Sequence, residues 1–277
     1  MKLSPRYDGP ALLDIDGAPG DQLVPVTRQR RRMETFLSAL TDDEWRSPSR
    51  CDGWSIQDVI SHLVTVNSFW ATSVRAGVAG APTQMLANFD PAAHPPLMVD
   101  GMRSLAPREV FDQFVASNDD FLGALASLDD RGWSARAESP AGHVSIRSLA
   151  FHAIWDAWIH ERDIALPLDQ VPPQEPDELG SCLRYAAALG PGLAITNGTS
   201  TPGIFAVAAT EPDIQFVLAV GESVVVRNEP PPEAAPCLRG AAIALTEALS
   251  VRGPLPADAP PEWHRLLHGL ATVFDAV

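Results

Sequence analysis

Residues 151–163 have the sequence FHAIWDAWIHERD, and this segment is the most informative part of the chain. His152, Asp156 and His160 follow one another at intervals of four residues, so on an α-helix they lie on one face. The other positions are apolar almost all round, which is typical of a buried helix. Because a buried charge is costly unless it is paired or bound to metal, this polar face indicates a site for zinc or a similar divalent ion.

The pattern also has an ordinary explanation, because one buried histidine on a helix is more often a hydrogen-bonded core residue. An Asp-x-x-x-His pair alone occurs frequently by chance. His62 adds weight to the metal hypothesis, since it lies on a second amphipathic helix and bundle proteins build metal sites from facing helices. We therefore predict a centre with His62, Asp156 and His160 as ligands and an open fourth position, as in catalytic zinc sites. Asp58 or Asp163 could orient one of the imidazoles.

Four amphipathic helices are predicted in the first part of the chain. They start near four residues: Val26, Ser55, Pro107 and Ser145. Ser55 and Pro107 are residue types that are favoured at helix starts. Residues 76–106 are rich in glycine and proline, and we predict a long connection there that serves as a lid or wall. The sequence thus predicts an irregular leader over residues 1–25 and a four-helix bundle over residues 26–167.

The composition changes after Leu166, where several prolines are predicted to form a stiff linker. Residues 177–277 have the pattern of a small α+β domain with a helix first, short strands next and helices last. The strands are predicted over residues 204–209, 214–220 and 223–227, and the last helices over residues 237–249 and 262–274. The fold class predicted for the whole chain is therefore a two-domain α+β protein.

Composition excludes several classes of function. The net charge is −15, which repels nucleic-acid phosphate and anionic lipid, so neither nucleic acid nor a membrane is an expected partner. The first residues lack the apolar segment of a signal peptide, and the three cysteines show no disulfide framework. We expect a cytoplasmic protein, a monomer or weak homodimer, that acts on a small molecule. Cys51 lies at a helix start, where a thiolate could be stabilised, and we favour the alternative of an inert structural thiol.

Three segments resemble the mycothiol-dependent maleylpyruvate isomerase-like proteins. Residues 51–63, CDGWSIQDVISHL, resemble a family signature in which Gly-Trp is followed by Ser or Thr, an aspartate and a His-Leu pair. Residues 156–164, DAWIHERDI, resemble a second signature with an acidic residue one helical turn before a histidine. Residues 237–254 resemble the small second domain of the family, which is related in shape to sterol-carrier proteins. The likeness spans residues 26–277.

The resemblance implies a DinB-like four-helix bundle followed by a small sterol-carrier-like α+β domain. It implies a divalent metal, with zinc as the first candidate, at His62, Asp156 and His160, and mycothiol or a similar small thiol as the second cofactor. The implied reaction is isomerisation or thiol transfer, in which the metal favours the thiolate that adds to a small electrophilic substrate. Arg252 matches an arginine that the family places near the cleft between the domains. There it would act as a catalytic residue that pairs with a substrate carboxylate, and an ordinary surface ion pair is the alternative.

The sequence departs from the family pattern at the middle ligand. The isomerase has glutamate there, whereas this chain has Asp156, whose side chain is one methylene shorter. A metal would therefore sit closer to the fourth helix, bind differently or be absent. Members of the family differ widely in substrate, so the fold does not fix the reaction.

A second function is compatible with the same fold. The interior is rich in tryptophan: Trp70, Trp155 and Trp158. These rings and the shorter Asp156 suit a non-catalytic protein that binds a small ligand in the cleft. Metal-bound water acting as a nucleophile is a further possibility. The role of His152 stays open, as does that of His143, which precedes the fourth helix and could cap it or reach the site.

Overall fold

The computed structural model describes residues 3–274, in which a helical N-terminal part packs against a sheet-containing C-terminal part. The helices are α1 (Leu23–Ser38), α2 (Asp42–Trp45), α3 (Ile56–Val78), α4 (His94–Asp100), α5 (Pro107–Ala126), α6 (Asp130–Ser134), α7 (Ile146–Ala165), α8 (Pro176–Thr196), α9 (Ala242–Leu249) and α10 (Pro261–Phe274). The strands are β1 (Leu13–Ile15), β2 (Arg136–Ser139), β3 (Gly142–Ser145), β4 (Gly203–Thr210), β5 (Ile214–Val220), β6 (Val224–Arg227) and β7 (Cys237–Ala241). The predicted α+β class is confirmed. None of the helices in the described chain is long and apolar enough to cross a membrane.

The four predicted helices of the bundle are present as α1, α3, α5 and α7. α3 begins after Ser55, whose Oγ accepts a hydrogen bond from the backbone N–H of Asp58 while Asp58 Oδ2 accepts one from the N–H of Ser55. Ser145 Oγ caps α7 by accepting from the N–H of Ser148 at 3.1 Å. These caps fix the starts of the two helices that carry the candidate ligands.

α7 lies between the two parts of the molecule and contacts α1, α3 and α8. Nearly all of its residues are buried, as its apolar pattern predicted. The apolar side chains around it form two groups, one shared with the sheet and one enclosed mainly by α1, α3 and α5. A polar side chain on α7 therefore faces protein or an enclosed space and not bulk water.

The main sheet has the strand order β1-β6-β5-β4-β7. β1 runs parallel to β6 and β7 runs parallel to β4, while the central pairs are antiparallel. The three strands predicted between residues 204 and 227 are confirmed as β4, β5 and β6. The prediction of one helix over residues 237–249 is wrong in its first part. Residues 237–241 pair with β4 as strand β7 before α9 begins.

The leader over residues 1–25 is not wholly irregular, because it contains β1. Leu13 and Ile15 are buried in the core and pair with the edge of β6. A strand of three residues is too short for periodicity to reveal it. The predicted domain boundaries, 26–167 and 177–277, stay a prediction, and the chain ends at positions 1–2 and 275–277 lie outside the described residues.

The connection predicted over residues 76–106 contains the short helix α4 and is held in place by Glu138 on β2. This buried carboxylate accepts hydrogen bonds from Thr83 Oγ1 and from the backbone N–H groups of residues 85–86, at 2.7–2.8 Å. Tyr7 Oη donates to the same carboxylate at 2.7 Å. Burial and this contact raise the pKa of Tyr7, so its hydroxyl remains a donor. These contacts hold residues 83–86 of the connection against β2, so this part of the connection forms a wall.

A network of ion pairs joins the bundle to α8. Arg32 on α1 binds the carboxylates of Glu161 on α7 and Glu178 on α8, each at 2.7 Å. Glu178 also accepts from Arg28 Nε at 2.7 Å, and its side chain is fully buried. Because two guanidinium groups meet one carboxylate that water does not reach, this contact ties α1 to α8.

Glu178→Gln is expected to lower the free energy of unfolding by about 3 kcal/mol, because two arginines lose their buried charged partner. Urea denaturation of the full chain at pH 7 measures the change. Asp112→Asn is the control, since it removes an exposed pair with Arg108 on α5 and should change the free energy by less than about 0.5 kcal/mol. Equal effects of the two substitutions would contradict this account of the network.

Candidate metal centre

The three predicted ligands converge between α3 and α7. His62 projects from α3, and Asp156 and His160 lie one turn apart on α7. One ligand atom of each side chain lies within 4.8 Å of those of the other two. His160 Nε2 is 3.8 Å from Asp156 Oδ1, and the ring centroids of His62 and His160 are 5.1 Å apart. The structure thus brings together the side chains singled out in the sequence, and their role as metal ligands stays a prediction.

The donor set and its protonation suit a divalent metal. Burial lowers the pKa of His62 to about 4, which leaves its imidazole neutral at pH 7. Burial opposes ionisation of Asp156, but the nearby histidines and Arg30 hold the pKa of its carboxyl below its usual value. Asp156 Oδ2 is buried and has no hydrogen-bond partner within the described chain. Two imidazoles and a carboxylate with an unpartnered oxygen fit zinc or a similar ion.

His160 is oriented by a carboxylate one turn further along α7. Its Nδ1 is 3.2 Å from Asp163 Oδ2, which leaves Nε2 on the side of Asp156. Burial acts against protonation, but the contacts with Asp163 and Cys51 raise the pKa of His160 to about 10. The ring of the metal-free protein is therefore protonated at pH 7, and ligation requires loss of the Nε2 proton. A carboxylate behind a histidine ligand is the common outer partner in zinc sites.

Of the two carboxylates predicted to orient an imidazole, the structure selects Asp163. Asp58 is engaged elsewhere, because its Oδ2 caps α3 and its Oδ1 accepts from Arg103 Nε at 3.0 Å. The Asp58 carboxylate cannot stabilise the start of α3 and at the same time orient a histidine ligand. The capping box that places His62 on its helix therefore explains why Asp58 does not take the second role.

Arg252 is bound to Asp163 rather than exposed on the surface. Its Nε donates to Asp163 Oδ1 at 3.1 Å and its Nη2 to Oδ2 at 3.0 Å. Burial opposes ionisation of Asp163, but His160 and Arg252 hold its pKa well below the usual range. The alternative of an ordinary surface ion pair is therefore wrong, because the partner is a buried carboxylate that touches a candidate ligand. A direct catalytic role of Arg252 stays a prediction.

Cys51 belongs to this cluster, although its sequence context did not predict a place near the candidate ligands. Its Sγ donates to Asp163 Oδ2 at 3.2 Å and lies 3.8 Å from His160 Nδ1 and 3.7 Å from Arg252 Nη2. Cys51, His160 and Asp163 form a second group of potential ligands, which shares His160 with the first group. The available signal was the place of Cys51 at the capped start of α3. Its interpretation as a purely structural thiol overlooked these contacts.

The other two histidines considered in the sequence lie outside the triad. His152 Nδ1 is hydrogen bonded to Tyr185 Oη, and burial lowers the pKa of His152 to about 4. Both ring nitrogens of His143 are in hydrogen-bond range of backbone carbonyl oxygens, those of Tyr7 at 3.2 Å and Thr83 at 2.8 Å. His143 therefore joins the leader to the wall. It neither caps α7 nor reaches the metal centre.

A chamber of about 600 Å³ opens beside the three candidate ligands. Its wall is formed by side chains of α3, α7 and the connection that contains α4, and Arg252 and His152 border it as well. Most of the lining side chains are apolar. The volume lies within the range of small-molecule binding sites, so the centre faces a space that can hold a ligand.

Comparison with known proteins connects this arrangement to one family. The family model described as the mycothiol maleylpyruvate isomerase N-terminal domain matches residues 26–165. The chain is similar to the crystal structure of the mycothiol-dependent maleylpyruvate isomerase, with a TM-score of 0.63 and 14% identity over 89% of this chain and 97% of the other. A histidine-to-alanine mutant of that enzyme matches with the same TM-score and coverage at 13% identity. Identity this low shows the fold alone, and the predicted isomerase-type fold is confirmed. No protein with a curated description matches the sequence.

Zinc-loaded, desalted protein is expected to retain about one ion per chain. His62→Ala and Asp156→Ala are expected to weaken zinc binding by roughly 100-fold or more, because each removes a ligand. His264→Ala is the matched control, since it removes an exposed histidine on α10. Elemental analysis by mass spectrometry measures the content, and competition with a chelator measures the affinity.

Cys51→Ala distinguishes the two groups that share His160. Zinc binding should survive this substitution, because Cys51 is absent from the group formed by His62 and Asp156. Loss of zinc in Cys51→Ala together with full retention in His62→Ala would assign the ion to the cysteine-containing group and contradict the prediction.

Proposed function

The chain belongs to the mycothiol maleylpyruvate isomerase N-terminal domain family, and on this premise we propose that it is a metal- and thiol-dependent isomerase or transferase acting on a small electrophilic substrate. The observation that carries the proposal is the convergence of His62, Asp156 and His160, with an unpartnered carboxylate oxygen, at the wall of a chamber. Three protein ligands beside an accessible space are the arrangement of a catalytic site, which leaves one coordination position for a thiol.

The ion that these residues would hold, zinc or a similar divalent metal, would favour the thiolate form of a small thiol such as mycothiol and so supply a nucleophile for an activated double bond. Asp163 keeps a proton on His160 Nδ1 and thereby fixes the orientation of the ring. The wall of the chamber is mostly apolar, and a bound ligand that displaced water from it would strengthen the electrostatic interactions inside. We propose a positioning role for Arg252 in place of the predicted direct contact with a substrate carboxylate, because its guanidinium holds the Asp163 carboxylate against His160.

The shorter ligand Asp156 is compatible with this proposal. A shorter ligand requires the metal to lie closer to α7, the fourth helix of the bundle. Asp156 Oδ1 and His160 Nε2 are 3.8 Å apart on this helix, which is compatible with such a position. His62 reaches both across the interface with α3, so no member of the group needs a longer side chain to come within range. The proposed centre therefore does not depend on a glutamate at this position.

A second candidate is a non-catalytic protein that binds a small ligand with the same fold. The observation in its favour is the mostly apolar chamber, which can hold a ligand without any metal. This candidate predicts ligand binding that is indifferent to chelators and to the loss of His160. The two functions are thus separable by the dependence of binding on the ion.

Replacement of the metal by Co²⁺ tests the proposed function. Addition of mycothiol to the cobalt protein should produce a thiolate-to-cobalt charge-transfer band, and thiol-dependent turnover should be measurable within a series of small electrophiles that includes neutral and anionic compounds. His160→Ala should abolish the band and lower turnover by roughly 1000-fold, since it removes a ligand. His264→Ala should leave both unchanged.

A cobalt protein that binds the ion but gives no thiolate band, and no turnover with any electrophile, would contradict the catalytic proposal. Chelator-independent binding of a small apolar ligand would then favour the second candidate.

A further inference from the structure

The chamber beside the candidate metal centre is lined mainly by large apolar and aromatic side chains. The largest are Trp54, Phe69, Trp70, Phe89, Met98 and Trp155. They come from separate elements, since α3, α7 and the connection that contains α4 all contribute. Burial of apolar ligand surface against such a wall is favourable whether or not a metal is bound.

The charged groups at the chamber leave no excess positive charge for a substrate anion. Arg252 is the one guanidinium among the described lining residues, and Asp163 lies 3.0 Å from it. Asp52 and Asp156 are the carboxylates among the lining residues, so the carboxylates of the wall outnumber its guanidinium groups.

We propose that the chamber selects a neutral, apolar electrophile of one to two rings in size over a dicarboxylate. The inference rests on the proposed function only in taking the chamber as the substrate site. Maleylpyruvate carries two carboxylates, and entry into this chamber would remove both from water without a free cation to receive them. A neutral substrate loses no such hydration and gains the contact with the aromatic wall.

Dimethyl phthalate and phthalate test the selection directly, because they share one skeleton and differ in charge. Neither reacts with thiols, so binding is measured without turnover. Calorimetric titration of the full chain in the presence of a chelator is expected to give a dissociation constant for the diester at least about tenfold below that of the dianion.

Thr65→Lys places a cation at the wall and should weaken the selection. Thr65 lies about one turn beyond His62 on α3 and lines the chamber. The ratio of the two dissociation constants is expected to shift toward phthalate by about tenfold, because the dianion gains a charged partner. Thr72→Lys is the matched control, since it adds the same charge at an exposed position of α3 and should leave the ratio unchanged. Circular dichroism checks that each variant is folded.

Phthalate binding as tight as that of the diester in the wild-type protein would overturn the proposal, and so would failure of both compounds to bind at millimolar concentration. If Thr65→Lys does not fold, the wild-type comparison alone decides. Loss of metal binding with the diester preference intact would count against the proposed function only. Metal and thiol binding with no diester preference would count against this inference only.

Discussion

Asp163 is the carboxylate on which the arrangement of the site depends. It is fully buried, and it meets His160 Nδ1, the thiol of Cys51 and the guanidinium of Arg252 at 3.0–3.2 Å. Its backbone oxygen also accepts the N–H of Arg50. A buried carboxylate is stable in the ionised form only with such partners. The same contacts hold one imidazole in a fixed orientation, so the geometry of the centre follows from the need to satisfy this charge.

The same contact couples the two parts of the chain. Arg252 follows α9 in the C-terminal part, whereas Asp163 lies near the end of α7 in the bundle. Arg32 and Glu178 form a second connection of this kind. Because both connections begin on the bundle close to α7, the sheet-containing part is fixed relative to the helix that carries two of the candidate ligands. The chamber is thereby bounded by both parts and not by the bundle alone.

Local patterns explain which features were predictable from the sequence. The capped start of α3 and the four-residue spacing on α7 are contained within single helices, so the sequence predicted where His62, Asp156 and His160 lie. The contact between Cys51 and Arg252 joins residues that are 201 positions apart, and no local pattern encodes it. Asp58 was one of two carboxylates that could orient an imidazole. It does not do so, because its carboxylate caps the start of α3.

The strands of the sheet also differ in how far local sequence patterns predict them. β4, β5 and β6 are short apolar runs and were predictable as strands, but β1 and β7 exist because they add to the edges of that sheet. Their pairing energy comes from partners that are distant in the sequence. For the same reason the wall of the chamber was predictable as a long connection, while its fixed position was not. That position depends on the buried carboxylate of Glu138.

X-ray absorption spectroscopy at the zinc edge distinguishes the two groups of potential ligands, because it reports the atoms bound to the ion. For zinc-loaded protein we expect two imidazole nitrogens and a carboxylate oxygen from the chain and no sulfur, with one sulfur appearing when mycothiol is added. Sulfur bound to the ion before any thiol is added would place the ion at Cys51. That result, or an absence of ordered zinc, would contradict the account.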